Sequence, residues 1–252
     1  MRHFFLMMAA AGLLCASLPA QAPVAKQPQP KSQKEVEALQ AIFSASAPAA
    51  RIEAVEKLLT NFADTEFKAS ALQIAAASAQ EMNDFDKMII YCERTMEADP
   101  KNFSALLMMA SGIAQRTREF DLDREEKLGR VEKYAKEAVQ LLQAAPKPRP
   151  DITEEQWDGA KKDFTAQAHE ALGMAAMVRK KYDEAITEFK TAVETAANQD
   201  PATKVRLGAA YNNAGKYDEA LAILDNVLGD AELHPAIRQF AQGEKMRALK
   251  AK

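Results

Sequence analysis

Residues 181–185 read Lys-Tyr-Asp-Glu-Ala, and residues 216–220 repeat the same five residues 35 positions later. The dipeptide Leu172-Gly173 recurs at the same spacing as Leu207-Gly208. A fixed period of this length is typical of stacked supersecondary units, none of which can bury its apolar face alone. The sequence therefore predicts a repeat protein, a class that binds other proteins more often than it catalyses reactions.

The repeated segments resemble the tetratricopeptide repeat, a helix–turn–helix unit of about 34 residues. Counted from Ala166 and Pro201, both copies carry the leucine, glycine and central alanine of that family, at Leu172, Gly173 and Ala185 and again at Leu207, Gly208 and Ala220. Two weaker copies begin near residues 69 and 103. The resemblance covers about residues 69–235 and implies an α-solenoid that binds a protein or peptide partner in a concave groove.

Gly173 and Gly208 lie inside predicted helices, where a glycine costs about 0.5–1 kcal/mol relative to alanine. Their occurrence at the same phase of two copies predicts that a neighbouring helix approaches closely at each position. The alanines three residues after Tyr182 and Tyr217 predict tight helix crossings in the same way.

Apolar residues recur at spacings of three and four along almost the whole chain, whereas the alternating runs typical of strands are not found. We therefore predict an all-α fold. After a disordered linker over residues 23–33, we expect a degenerate hairpin over 34–65, repeats near 69–102, 103–145, 166–200 and 201–235, and a cap helix over 235–250. The helices themselves are predicted over 34–46, 49–62, 65–82, 85–98, 102–118, 123–145, 153–180, 182–197, 201–214, 216–228 and 235–250.

A proline-rich segment, residues 145–150, separates two predicted helices that are longer than the others, 123–145 and 153–180. We expect them to project from the solenoid as an elongated central hairpin. Trp157 is the single tryptophan, and it is expected near the far end of that hairpin, packed against residues such as Leu141 and Leu142. The alternative is that Trp157 anchors a protein partner, because tryptophan is favoured at binding hot spots.

The first 22 residues have a different composition. A basic start at Arg2 precedes an apolar run over residues 4–14, and Ala20-Gln21-Ala22 offers a small-residue cleavage site. This pattern is typical of a secretory signal peptide, cleaved after Ala20 or Ala22, and it predicts an exported protein, periplasmic or secreted. The apolar run is too short for a comfortable bilayer span. We therefore expect no stable membrane insertion of the mature chain.

The net charge argues against nucleic acid as a partner. Removal of the signal takes away Arg2, so the 33 basic residues become 32 against 36 acidic residues, a net charge of −4. A nucleic-acid-binding face needs a basic surplus. We therefore expect a protein or peptide partner and no nucleic acid.

Catalytic and metal-binding chemistry is not indicated. The mature chain has two histidines, His169 and His234, and neither has cysteine or carboxylate partners at metal-ligand spacing. The single mature cysteine, Cys92, falls on a large-apolar position of a predicted second helix and is expected to be buried. No nucleophile elbow or phosphate-binding glycine loop is present. We predict a non-catalytic protein with no catalytic residue, no metal and no cofactor.

The groove-lining positions of the family fall on the first helix of each pair. In this sequence they mix amides, hydroxyls and methionines, which suit an extended or helical protein segment. The candidate groove residues are Gln73, Gln80, Ser104, Ser111, Gln115, Gln167, Glu170, Met174, Met177, Asn212 and Asn213.

Three functions remain open on the sequence. The first is an exported scaffold or adaptor that holds a protein segment in the groove. The second is a structural envelope protein that self-associates as a homo-oligomer. The third is a small-ligand receptor or enzyme with a pocket beside the central hairpin, and an ordered polar cavity there would favour it.

Overall fold

The computed structural model describes residues 28–252. Over this range the chain forms eleven α-helices and no strand, so the all-α prediction is confirmed, and every helix bound lies within three residues of its predicted position. The predicted signal peptide and its cleavage site lie outside the described residues. The helices are α1 Gln33–Ser44, α2 Pro48–Asn61, α3 Lys68–Glu81, α4 Phe85–Ala98, α5 Phe103–Arg116, α6 Arg124–Ala144, α7 Glu154–Val178, α8 Tyr182–Thr195, α9 Pro201–Asn213, α10 Tyr217–Leu228 and α11 Pro235–Ala251.

Consecutive helices form hairpins that stack in chain order. The pairs are α1 with α2, α3 with α4, α5 with α6, α7 with α8, and α9 with α10. The second helix of each pair packs against the first helix of the next pair, and α11 packs on both α9 and α10. This arrangement is an α-solenoid, in which each unit depends on its neighbours to bury its apolar side.

Three of the hairpins turn with the same backbone geometry. Asn83, Lys180 and Gly215 follow the first helix of their pairs and have positive φ angles of 56°, 60° and 74°. A left-handed residue at this position allows the next N–H to close the helix end on a carbonyl five residues back. The three closing bonds, each 2.9 Å long, run from Asp84 N to the Ala79 oxygen, from Lys181 N to the Ala176 oxygen and from Lys216 N to the Tyr211 oxygen.

The repeated glycines are sites of close helix approach, as the sequence predicts. A β-carbon on Gly173 would lie 2.7 Å from the ring of Phe189 in α8. A β-carbon on Gly208 would lie 2.8 Å from Leu224 in α10. Since Phe189 and Leu224 are also 35 residues apart, the same large-on-small contact joins the two helices of both pairs.

The apolar core runs along the stack in connected sections. One section extends from α1 to α7, a second joins α7, α8 and α9, and a third joins α9, α10 and α11. Cys92 is fully buried in the first section, which confirms its prediction as a core residue. Burial, with a smaller effect of the neighbouring Glu93 charge, raises the pKa of the Cys92 thiol to about 12.

The central hairpin is elongated, but the prediction that it projects from the stack is wrong. The helices α6 and α7 have 21 and 25 residues. The extra length of α7 lies against α5, where the Phe103 ring is 6.3 Å from the Trp157 ring and 5.3 Å from the Phe164 ring. The apolar stripe of α7 thus packs on Phe103 at the start of α5.

The residues just before α1 pack on the turn between α2 and α3. The ammonium of Lys31 lies 2.6 Å from the Asp64 carboxylate. Buried Glu35 accepts hydrogen bonds from the Thr65 hydroxyl and from the Lys31 backbone N–H, both at 2.6 Å, and these bonds lower the pKa of its carboxyl. The linker predicted over residues 23–33 therefore has an ordered end at 31–33, while residues 23–27 lie outside the described residues.

Candidate protein-interaction groove

Several predicted groove residues connect neighbouring first helices instead of lining a free surface. Oε1 of Gln73 accepts a hydrogen bond from Nδ2 of Asn102 at 3.3 Å, which ties α3 to the start of α5. Nε2 of Gln167 donates to the hydroxyl of buried Ser111 at 3.3 Å, which ties α7 to α5. These amides and hydroxyls stabilise the stacking of the repeats.

The two asparagines at the end of α9 bind the last helix. Nδ2 of Asn212 donates to the Glu244 backbone oxygen at 2.9 Å and to its carboxylate at 2.8 Å. Oδ1 of Asn213 accepts a hydrogen bond from the Arg247 guanidinium at 2.9 Å. Asn212 is buried under α11, whereas Asn213 is partly exposed, and a role of either residue in partner binding stays a prediction.

The remaining predicted residues differ in how far a partner could reach them. Gln80 and Gln115 are exposed, and Ser104 is partly exposed at the start of α5. Met174 and Met177 are partly buried and pack against the core sections. The predicted anchor Trp157 is buried, with 5% of its surface exposed, and its Nε1 donates to the Ala145 oxygen at 3.2 Å. Trp157 is therefore a core residue of the central hairpin.

Gln167 and Glu170 open onto a cavity between α7, α8 and α9. The cavity has a volume of about 290 Å³. It lies where the end of α8 and the loop to α9 turn back towards α7. Its lining residues are Asp163, Ala166, Gln167, Glu170, Ala192, Val193, Ala196, Asn198, Asp200 and Thr203.

The carboxylates of Asp163, Glu170 and Asp200 give the cavity an acidic lining. The Asp163 carboxylate accepts hydrogen bonds from the backbone N–H of Asn198 at 2.9 Å and from its side-chain amide at 2.7 Å. The Glu170 carboxylate accepts a hydrogen bond from the Thr203 hydroxyl at 3.0 Å and forms an ion pair with Arg206. With one guanidinium beside three carboxylates, the cavity has a surplus of negative charge that favours a cation.

Asp163 remains ionised in this environment. Burial opposes ionisation of its carboxyl, but the hydrogen bonds from the backbone and side chain of Asn198 outweigh burial and hold the pKa of Asp163 below its usual value of 3.8. The carboxylate is consequently charged at neutral pH and is oriented by fixed donors. A cation entering the cavity would meet a preorganised acceptor.

The sequence prediction contains Gln167 and Glu170 but misses Asp163 and Asn198. The groove positions of the repeat begin at Ala166, whereas α7 begins twelve residues earlier at Glu154. Asp163 lies before the first position of this repeat, but it is 35 residues from Asn198, which equals the repeat spacing.

The histidine, cysteine and carboxylate side chains of residues 28–252 do not form a metal site. In that range, no group of three or more of them is placed to hold a metal ion. Nδ1 of His169 lies 2.7 Å from the Glu188 carboxylate, so this histidine joins α7 to α8. None of the described helices has the length and apolar character needed to cross a membrane.

The fold defines a helical repeat protein of the α-solenoid class. Residues 176–252 match the family model of the tetratricopeptide repeat. Two solved structures have the same fold. The chain is similar to TTC0263, a thermophilic tetratricopeptide repeat protein of Thermus thermophilus, with a TM-score of 0.57 and 16% identity over 84% of this chain and 99% of that one. It is also similar to the MamA protein, with a TM-score of 0.53 and 14% identity over 79% of this chain and 96% of that one.

Residues 176–252 thus match the tetratricopeptide repeat, and the described chain has the fold of tetratricopeptide repeat proteins. A search of curated protein sequences gives no significant match. Repeat proteins of this kind present extended concave surfaces to other proteins. The fold therefore indicates a protein-interaction scaffold, in agreement with the sequence prediction at this level of detail.

Proposed function

We propose that this protein is an exported, non-catalytic scaffold that holds an extended segment of a partner protein on its concave side, with a lysine or arginine of that segment in the cavity between α7 and α9. The observation that carries the proposal is the cavity itself. It contains Gln167 and Glu170, which the repeat pattern assigns to the groove, and it adds two further carboxylates, Asp163 and Asp200.

The chemistry of the lining suits a basic side chain. An ammonium or guanidinium can bind the ionised Asp163 carboxylate, while Gln167 offers an amide oxygen for a further hydrogen bond. The apolar wall formed by Ala166, Ala192 and Val193 matches the methylene stem of such a side chain. Gln115 is exposed on α5, which packs against α7, and its amide can hydrogen-bond to the backbone of the same segment.

The second candidate function is a receptor for a small cationic ligand. It is favoured by the same polar cavity beside α7. The volume of about 290 Å³ lies just below the range of about 300–1,000 Å³ typical of small-molecule pockets. A side chain attached to a longer segment gains further contacts along the groove. A free amine would have to bind through the cavity alone.

Selection of a random peptide library on the purified protein tests the proposal. We expect enrichment of peptides with lysine or arginine. Gln167→Arg should then weaken binding of the selected peptides at least about tenfold, because a guanidinium in the cavity competes with the incoming cation and repels it. The matched control is Gln140→Arg, the same substitution at an exposed position of α6, which should leave the affinity unchanged.

Two outcomes would contradict this function. One is enrichment without any preference for basic residues, and the other is equal affinity of the Gln167→Arg and Gln140→Arg variants. If lysine methyl ester alone binds as tightly as the selected peptides, the small-ligand receptor replaces the scaffold. Circular dichroism of both variants controls for loss of fold.

Export is the part of the proposal that depends on residues 1–22. Fractionation of cells that express the full chain should place the protein in the periplasm or the medium. The first residue of the purified protein should be Gln21 or Pro23, according to whether cleavage follows Ala20 or Ala22. Recovery of the whole chain, with its Met1 end, in the cytoplasm would contradict export.

A further inference from the structure

The last helix, α11, continues the series of first helices. It packs on α9 and α10 as α9 packs on α8. Pro235 at its start follows Pro201 by 34 residues, and Gly243 follows Gly208 by 35 residues, which are the repeat spacings to within one residue. Within the described residues, α11 therefore occupies the position of a first helix.

The face of α11 around Gly243 is open. At Gly173 and Gly208 a second helix supplies a large apolar residue, Phe189 or Leu224, directly over the glycine. At Gly243, a β-carbon would meet no other side chain or helix of the described residues within 4 Å. The contact that closes the two preceding repeats is therefore not made at this position by any part of residues 28–252.

The solvent-facing side of α11 carries exposed apolar side chains, of which Met246 lines the opening at Gly243. Phe240, Met246 and Leu249 of α11 each have 56% of their surface exposed. A shallow cavity of about 470 Å³ lies over the helix, lined by Gly243, Met246, Arg247, Lys250 and Ala251. It has room for one large apolar side chain, the kind of residue that covers the equivalent glycines.

The border of the cavity is basic. Arg247 and Lys250 lie on it. Arg247 is paired with Glu244 of the same helix at 3.6 Å, whereas Lys250 has no carboxylate within 4 Å among the described residues. The second helices α8 and α10 both begin with adjacent acidic residues in their first turn, and one aspartate of each pairs with a lysine one repeat later, Asp183 with Lys216 and Asp218 with Lys252. Opposite charge at a rim steers a partner to its site.

We infer that this face of α11 binds an amphipathic helix of another protein, which places a phenylalanine or leucine over Gly243 and a carboxylate beside Lys250. The bound helix would then cover Gly243 as the second helices α8 and α10 cover Gly173 and Gly208. This surface is separate from the cavity between α7 and α9, so it adds a second binding site to the scaffold.

A peptide with the sequence of α10 and its flanks, residues 216–229, is a suitable probe because it already has the required leucine and acidic first turn. Fluorescence anisotropy of the labelled peptide should show saturable binding to the full protein. Gly243→Leu should weaken this binding at least about tenfold by filling the open space over the helix. The same peptide with Leu224→Asp should not bind, and added salt should weaken binding of the unmodified peptide.

Gly129→Leu is the matched control, because Gly129 lies in the exposed face of α6 and a β-carbon there also meets nothing within 4 Å. Equal binding of the peptide by both leucine variants, or no saturable binding to the unmodified protein, would overturn the inference. Light scattering of the protein alone tests whether a second copy of the same chain binds this face instead. A dimer that Gly243→Leu converts to a monomer would show that a second copy fills this face, and it would overturn the assignment to another protein.

Discussion

At the scale of single residues, each repeat depends on a small residue that lets a large apolar side chain of the paired helix pack closely against it. Gly173 has no side chain, and this absence lets the ring of Phe189 sit against the backbone of α7. Gly208 and Leu224 repeat the arrangement one period later. The cost of a glycine within a helix is thus offset by burial of a large apolar side chain in the partner helix.

A pair of glycine substitutions measures this contact. Gly173→Ala should lower the free energy of unfolding by about 1–3 kcal/mol, because its β-carbon would overlap the buried Phe189 ring. Gly129→Ala in α6 should instead raise it by about 0.5–1 kcal/mol, because no atom lies within 4 Å and alanine favours the helix. Urea denaturation followed by circular dichroism gives both values. Equal effects of the two substitutions would show that Gly173 is not a packing position.

The residue-level contacts were predictable in part. Glycines at equal phase in two copies pointed to close helix approach, since a residue that disfavours helix recurs there for a packing reason. The roles of Asn212 and Asn213 could not be predicted, because the repeat pattern assigns them to the groove and does not show where α11 packs. Their hydrogen bonds to α11 depend on a contact between residues more than thirty positions apart.

At the scale of elements, helix positions follow closely from the sequence because apolar spacing and caps specify them locally. Thr153 and Gln156 form a complete capping box at the start of α7, and Asp200 accepts a hydrogen bond from Ala202 N at the start of α9. Asp123 has the same sequence spacing but makes no capping bond, because its carboxylate pairs with Lys127 instead. Local sequence signals therefore determine where a helix begins, but the capping hydrogen bond forms only where no other side chain binds the capping residue.

The direction of the central hairpin was not predictable, because it depends on a pairing between α5 and α7. Trp157 tests that packing. Trp157→Ala should cost about 3–5 kcal/mol of stability, since the indole is buried against the Phe103 ring. Trp157→Phe should cost less, because it keeps an aromatic ring and mainly loses the hydrogen bond to the Ala145 oxygen, worth about 1 kcal/mol.

Urea denaturation followed by far-ultraviolet circular dichroism measures both variants without relying on tryptophan fluorescence. An alanine variant within about 0.5 kcal/mol of the natural protein would mean that Trp157 is not part of the core. In that case the central hairpin would be free to project, and Trp157 would again be a candidate anchor for a partner.

At the scale of the whole molecule, the stack of hairpins brings together residues that no local pattern connects. The cavity between α7 and α9 combines a helix extension, the end of α8 and the loop before α9. The repeat predicted that first helices would line a concave side, and it named two cavity residues, Gln167 and Glu170. It could not predict the acidic character of the site, which comes from Asp163 outside the repeat unit and from Asp200 at a helix cap.

Hydrogen–deuterium exchange with and without a selected basic peptide tests the central claim most directly. If the peptide binds on the concave side with its cation in the cavity, amides in residues 163–170 and 198–206 should become protected, while the outer helices α4 and α10 should exchange as before. Protection confined to α4 and α10, with 163–170 and 198–206 unchanged, would contradict the account.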